Sequence, residues 1–75
     1  MKLQNLGAHK NVIHLDNGTD VLISYETPVA AFIPGIGYVR TERSWSVTTS
    51  KHITQWGCDK RTPLRPQAFF DNLLG

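Results

Sequence analysis

The sequence predicts a small α+β domain: a twisted antiparallel sheet of four to five strands, a short helix after the last strand, and a C-terminal helix. Three observations predict this fold. Short β-branched and aromatic runs fill the first part of the chain, with turns rich in Gly, Pro and Asn between them. From residue 48 onward the apolar spacing changes to three and four residues, as in a helix. The length of 75 residues leaves room for a single domain, residues 1–75.

The first expected element is a β-hairpin. Residues 11–15 and 21–25 are short runs rich in Val, Ile and Leu, and the turn between them contains Asn17-Gly18. Asn-Gly readily takes the positive φ angles of a tight hairpin turn. The two runs should therefore pair as antiparallel strands.

Three further strands are expected after Pro28, which suits a strand start or a sheet edge because proline cannot donate to a ladder. Residues 29–33 form the third strand. The Pro-Gly-Ile-Gly turn at residues 34–37 returns the chain to a fourth strand at residues 38–41. Residues 45–47 form a fifth, short strand after a bend.

Two helices are expected in the last third of the chain. Hydroxyl side chains at residues 48–50 can cap a short helix over residues 51–56. Gly57 suits the left-handed position that ends such a helix. Pro66 suits the first turn of a terminal helix over residues 66–74, in which aromatic and leucine residues four positions apart form an apolar stripe.

Composition favours a soluble protein of the cytoplasm. Cys58 is the single cysteine, so no intrachain disulfide can form, which points to a reducing compartment. The N-terminal segment lacks the apolar run of a signal peptide. No stretch approaches the roughly 20 apolar residues that span a bilayer, so no membrane partner is expected. Because the core of so short a chain is small, stabilisation by a second copy as a homodimer stays open.

The His and Cys residues do not favour a metal site, a cofactor or catalysis. His9 and His14 have ligand-like spacing only in a helix, whereas their segment reads as strand, and His52 and Cys58 flank an expected helix end. The negative end of that helix should raise the pKa of the Cys58 thiol and make it a poor nucleophile. No nucleophile elbow, metalloprotease motif or phosphate-binding loop is present. We therefore expect a protein that binds a partner and is not an enzyme.

The candidate contact surface lies in two basic segments. Residues 40–52 combine basic and hydroxyl residues with Trp45, which is either a core residue or a contact residue that stacks on a base or anchors a protein interface. The loop at residues 60–65 suits acidic protein or phosphate, or serves only solubility. The candidate partner-binding residues are Arg40, Arg43, Trp45, Lys51, His52, Lys60, Arg61 and Arg65.

Three motifs carry a family resemblance: YETPVA at residues 25–30, YVRT at residues 38–41, and WSVTTSKHITQW at residues 45–56. Together they resemble a family of small proteins that are encoded mainly by bacteriophages and mobile elements and described only as a domain of unknown function. The resemblance covers residues 20–57, without the N-terminus and the C-terminal helix. The family usually has Asn where this chain has Thr54.

The resemblance implies a phage origin and no known enzymatic activity. Small early phage proteins commonly dock on a host machine. We therefore expect an accessory protein, in the cytoplasm of an infected bacterial host, that binds and modulates a host macromolecular complex such as RNA polymerase or a defence nuclease, with inhibition as the expected effect. The alternative is a nucleic-acid-binding accessory protein that uses the basic face with Trp45, whose binding would weaken steeply with salt.

Overall fold

Six strands lie in one sheet, in the order in which they occur in the chain. The computed structural model describes residues 1–74. The strands are β1 (Lys2–Gly7), β2 (Lys10–His14), β3 (Asp20–Ser24), β4 (Thr27–Ile33), β5 (Gly37–Thr41) and β6 (Leu64–Arg65), and the helices are α1 (Val47–Trp56) and α2 (Gln67–Leu73). The predicted α+β class, with one helix after the main strands and one at the C-terminus, is confirmed.

The strands from β1 to β5 pair antiparallel with their neighbours. The predicted hairpin is confirmed, with Val12 of β2 opposite Leu22 of β3. Gly18 in its turn has a φ of 89°, a conformation that glycine adopts without a side-chain clash. Pro28 lies within β4 beside a register shift, opposite Ile23. A bulge of this kind is where a strand tolerates a residue without an amide donor.

The sheet has two strands that the sequence pattern did not indicate. β1 is exposed along its whole length, so it lacks the alternation of a half-buried strand. β6 has two residues and pairs parallel with β5. It is held in place because the Arg40 N–H donates to the Pro63 carbonyl and the Glu42 N–H donates to the Arg65 carbonyl. Such non-local backbone pairing leaves no periodic signal in the sequence.

The prediction of a fifth strand at residues 45–47 is wrong, because this segment leads directly into α1. Ser46 is the N-cap, and its hydroxyl accepts a hydrogen bond of 3.2 Å from the Thr49 N–H. The helix therefore begins at Val47 instead of Lys51. Trp45 and Val47 alternate with serines, a pattern that is also typical of a strand. In the structure the hydroxyl of Ser46 instead caps the helix. The helix ends before Gly57, which has a φ of 122°, as predicted.

The two helices cover opposite faces of the sheet. Ile53 of α1 packs in a cluster that includes Ala30, whereas Phe70 of α2 packs in a cluster that includes Ala31. Successive side chains of a strand point to opposite faces, so the two clusters lie on either side of β4. No helix within residues 1–74 combines the length and the apolar character that crossing a membrane requires.

The terminal helix is confirmed, with Pro66 at its N-cap. Phe70 is completely buried, and the half-buried side chains of Phe69 and Leu73 pack against the same cluster. The apolar stripe of this helix therefore faces the sheet. Its first residue, Gln67, is consequently fixed close to β5.

Candidate functional site

A cleft of about 260 Å³ lies where the end of β5 faces α1. We call it the β5–α1 cleft. One wall comes from the end of β5 and the segment that follows it, and the other comes from the side of α1 and the segment after its C-terminus. The lining residues are Arg40, Thr41, Glu42, Arg43, Ser44 and Trp45 on the first wall and Ser50, Ile53, Thr54, Cys58, Asp59 and Lys60 on the second.

Arg40 lines this cleft and carries a donor without a partner. It lies opposite Ala30 in the sheet, and so on the face that α1 covers. Its Nε atom is buried and has no hydrogen-bond partner among residues 1–74. Neither of the two ion pairs found among residues 1–74 involves Arg40. A buried donor left without an acceptor costs roughly 1–3 kcal/mol. An acceptor that reached this Nε–H would recover part of that free energy.

Arg43 lies over the ring of Trp45, with its Cζ atom 4.6 Å from the ring centroid. This is the geometry of a cation–π interaction. The half-buried Trp45 packs against the core cluster that contains Ala30 and Ile53, which we call the α1-side core. It also donates its Nε1–H to the Gln67 Oε1 atom at 3.2 Å. Trp45 therefore acts mainly as a core residue, and a guanidinium covers its ring.

Gln67 holds the first wall of the cleft together. Its Oε1 atom also accepts a hydrogen bond of 2.8 Å from the Thr41 hydroxyl, and its Nε2–H donates to the Pro28 carbonyl at 2.7 Å. One amide thus joins α2, β4, β5 and the segment containing Trp45. Sequence reasoning missed this residue, because an uncharged side chain at the start of a helix carries no signal of its long-range partners.

The cleft carries three basic groups (Arg40, Arg43 and Lys60) and two acidic groups (Glu42 and Asp59). The Ser44 and Ser50 hydroxyls, one on each wall, add neutral donors, whereas the hydroxyls of Thr41 and Thr54 already donate within the chain. This composition suits a single anionic group that is held by a guanidinium and one or two hydroxyls. A polyanion would meet the two carboxylates as well.

Cys58 lines the cleft but does not supply a reactive thiolate. Its side chain is 1% exposed. Burial raises the pKa of the Cys58 thiol, while a hydrogen bond with Thr62 and the nearby Arg40 oppose this rise. The direction agrees with the prediction, but burial, and not the helix dipole, is the leading cause. The neutral thiol contributes packing to the α1-side core.

A family model matches residues 1–72. The chain belongs to DUF8033, a family of unknown function. The match agrees with the resemblance to a domain of unknown function, and it extends beyond residues 20–57 to include β1 and most of α2. A comparison with curated proteins gave no significant match, and a comparison with solved structures gave none either.

In this DUF8033 domain, four of the eight predicted contact residues line the β5–α1 cleft together: Arg40, Arg43, Trp45 and Lys60. The exposed Lys51 lies in a shallow groove of α1 beside Val47. Arg61 and Arg65 are exposed in the loop and in β6, outside the cleft lining.

The remaining predicted residue of the DUF8033 domain, His52, is 8% exposed. Its Nδ1 atom lies 2.8 Å from the Ser24 hydroxyl, which also contacts the Thr49 hydroxyl at 2.9 Å. Burial lowers the pKa of His52, and the positive charges of Lys10 and His9 lower it further. The neutral imidazole therefore ties α1 to β3, and the structure does not present it to a partner.

The other two histidines of the DUF8033 domain also make contacts within the chain. His14 bridges the side chains of Asp20 and Gln4, at 2.6 and 2.8 Å. His9 stacks on Tyr25 with ring centroids 4.7 Å apart. Among residues 1–74, no three side chains of the His, Cys, Asp or Glu type converge in the manner of a metal site.

Proposed function

We propose that this DUF8033 domain is a binding protein whose β5–α1 cleft receives an acidic side chain of a partner protein. The buried, unpaired Nε of Arg40 is the observation that carries the proposal. A carboxylate can accept two parallel hydrogen bonds from a guanidinium, and such charge-assisted bonds are about twice as strong as neutral ones. Arg43 and Lys60 at the same cleft add favourable charge.

Three features support a protein partner over the nucleic-acid alternative. A base that stacks on Trp45 needs a free ring face, but Arg43 covers one face and the ring packs against the core. The Trp45 Nε1–H is already bonded to Gln67. Glu42 and Asp59 line the cleft and would repel a phosphate backbone, whereas a single carboxylate bound to Arg40 meets less repulsion.

We place this binding in the setting that the motif resemblance implies. The domain would be an accessory protein of a bacteriophage or mobile element that acts in the cytoplasm of the bacterial host. It would dock on a host macromolecular complex such as RNA polymerase or a defence nuclease, and inhibit it. This setting rests on the resemblance alone, whereas the cleft and its ligand class rest on side-chain contacts.

The test is quantitative affinity capture from host lysate with the wild-type domain and matched variants. Arg40→Met removes the guanidinium but keeps an apolar stem in the cleft. Lys2→Met removes one positive charge from β1, at the opposite end of the sheet. We expect one dominant protein, retained by Lys2→Met and reduced at least about ten-fold by Arg40→Met, because truncating one member of a buried charge pair costs about 2 kcal/mol or more.

Two outcomes would contradict the proposal. Recovery of nucleic acid alone, abolished by nuclease treatment, would favour the alternative function. Equal recovery of the same protein by the wild type and Arg40→Met would show that the cleft is not the contact site. Circular dichroism melts of each variant establish that the fold is intact.

A further inference from the structure

The sheet has one long unpaired edge, at β1. The strand order ends at β1 on one side and β6 on the other. β6 has two residues and is flanked by Pro63 and Pro66, which protect it from further pairing. β1 has six residues, all exposed, and within residues 1–74 no strand pairs with its outer side. Lys2 is its only charged residue, and it has no proline.

The backbone groups of β2 show which β1 residues face outward. In an antiparallel ladder, alternate residues direct both N–H and C=O to the same neighbouring strand. The Tyr25 N–H donates to the His9 carbonyl, and the Leu15 N–H donates to the Thr19 carbonyl. Odd-numbered positions along β2 therefore bond to β3, and the even-numbered residues of β2 face β1.

Lys2 and Gln4 lie opposite even-numbered residues of β2 and bond to them. Leu3 and Asn5 alternate with these residues, so their N–H and C=O groups point to the open edge. The helices pack mainly on β3 and β4, which leaves this edge accessible.

We propose that the outer edge of β1 pairs antiparallel with β1 of a second copy, about a two-fold axis at Leu3. In this register, Leu3 and Leu3 of the second copy exchange backbone hydrogen bonds, and Asn5 lies opposite Met1 of the second copy. The two six-stranded sheets then become one continuous sheet.

The side chains of β1 fit a second copy of the same strand. Leu3 is 65% exposed and lies opposite the half-buried Ile13 of β2, on the face that α2 covers further along the sheet. Pairing at Leu3 places the two leucines side by side, with an Ile13 beyond each of them. Lys2 lies opposite Gln4 of the second copy, so no like charges are directly opposed. An apolar row therefore crosses the junction.

The proposed dimer is independent of the binding function, because the β5–α1 cleft lies at the other end of the strand order. Failure of one proposal leaves the other untouched.

Sedimentation velocity from low micromolar to near millimolar concentration tests the dimer. Leu3→Lys places two like charges on the two-fold axis, and Ile36→Lys is the matched control, since Ile36 is 64% exposed in the turn between β4 and β5. We expect the wild type and Ile36→Lys to dimerise and Leu3→Lys to stay monomeric. A monomeric wild type at every concentration, or an unchanged Leu3→Lys dimer, would overturn the proposal.

Disulfide formation tests the register. Residues that exchange both backbone hydrogen bonds have Cα atoms about 5.5 Å apart, a separation that a disulfide can span. Leu3→Cys should therefore form a covalent dimer on mild oxidation, whereas Ile36→Cys should not. The native Cys58 is buried and does not compete. Equal crosslinking of the two variants would contradict a two-fold axis at Leu3.

Hydrogen exchange on the wild type needs no variant. The Leu3 and Asn5 amides should gain protection as the protein concentration rises. Protection that is independent of concentration would also contradict the proposal.

Discussion

The Arg43 guanidinium lies 4.6 Å above the centroid of the Trp45 ring. This contact links the charge of the β5–α1 cleft to the α1-side core, because Trp45 packs against that core and bonds to Gln67. Arg43 therefore has two roles. It covers one face of the indole, and it adds a positive charge to the lining of the cleft.

Removing Arg43 should expose the Trp45 ring. Arg43→Ala, in a Trp56→Phe background that leaves one tryptophan, should increase acrylamide quenching of fluorescence. The free energy of unfolding should fall by about 0.5–1 kcal/mol, the usual strength of an exposed cation–π pair. Arg43→Lys should lie between the wild type and Arg43→Ala. Identical quenching in all three proteins would show that Arg43 does not cover the ring in solution.

Gln67 should be the polar residue on which the first wall of the cleft depends most, because it bonds to Thr41 and Trp45 of that wall. Gln67→Leu leaves the Thr41 hydroxyl, the Trp45 Nε1–H and the Pro28 carbonyl without this partner. We expect the free energy of unfolding in urea to fall by roughly 1–3 kcal/mol. Gln55→Leu, which removes only an exposed contact with Lys10, is the control and should change it by less than about 0.5 kcal/mol. Equal losses in the two variants would contradict the bridging role.

Arg40→Met should leave the stability of the isolated domain nearly unchanged. The buried Nε has no partner to lose within residues 1–74. Replacement of an unsatisfied polar group by an apolar side chain of similar length is nearly neutral or stabilising. A thermal or urea melt measures the change. A loss of several kcal/mol would mean that Arg40 is a structural residue and not a binding residue.

Stability should decrease in mildly acidic solution because of His52. Burial lowers the pKa of this histidine below its ordinary value of 6.5, so the unfolded chain binds a proton more readily than the folded chain. The stabilising contribution is therefore complete above the unfolded pKa and is lost as the pH falls from there through the folded pKa.

His52→Asn isolates that contribution, because it does not titrate and can still bond to the Ser24 hydroxyl. Urea melts across this pH range should show a weaker pH dependence for His52→Asn than for the wild type. Parallel curves for the two proteins would contradict the assignment to His52.

Local chemistry explains what the sequence could predict. Alternating β-branched residues and Asn17-Gly18 predicted the central hairpin, and Gly57 predicted the end of α1. These predictions succeeded because each signal lies within a few residues of the element that it marks. The strand predicted at residues 45–47 was wrong because its alternation also fits a capped helix start. β1 has no buried face, so no hydrophobic pattern marks it.

The candidate site was predicted in part for the same reason. Clustered charges identified Arg40, Arg43 and Lys60 without any knowledge of the fold. The role of Gln67 depends on partners in β4 and β5, and the burial of His52 depends on Ser24, 28 residues away in the sequence. These contacts are set by tertiary packing, which a single sequence does not display.

The most direct test of the acidic-ligand cleft is an NMR titration with sodium acetate, observed at the arginine Nε–Hε resonances. Arg65, exposed on β6, is the internal control, and sodium chloride at equal ionic strength is the solvent control. We predict that the Arg40 resonance shifts downfield and saturates with acetate, while that of Arg65 changes little. An Arg40 resonance that moves no further than that of Arg65, or equally with chloride, would contradict a carboxylate site in the β5–α1 cleft.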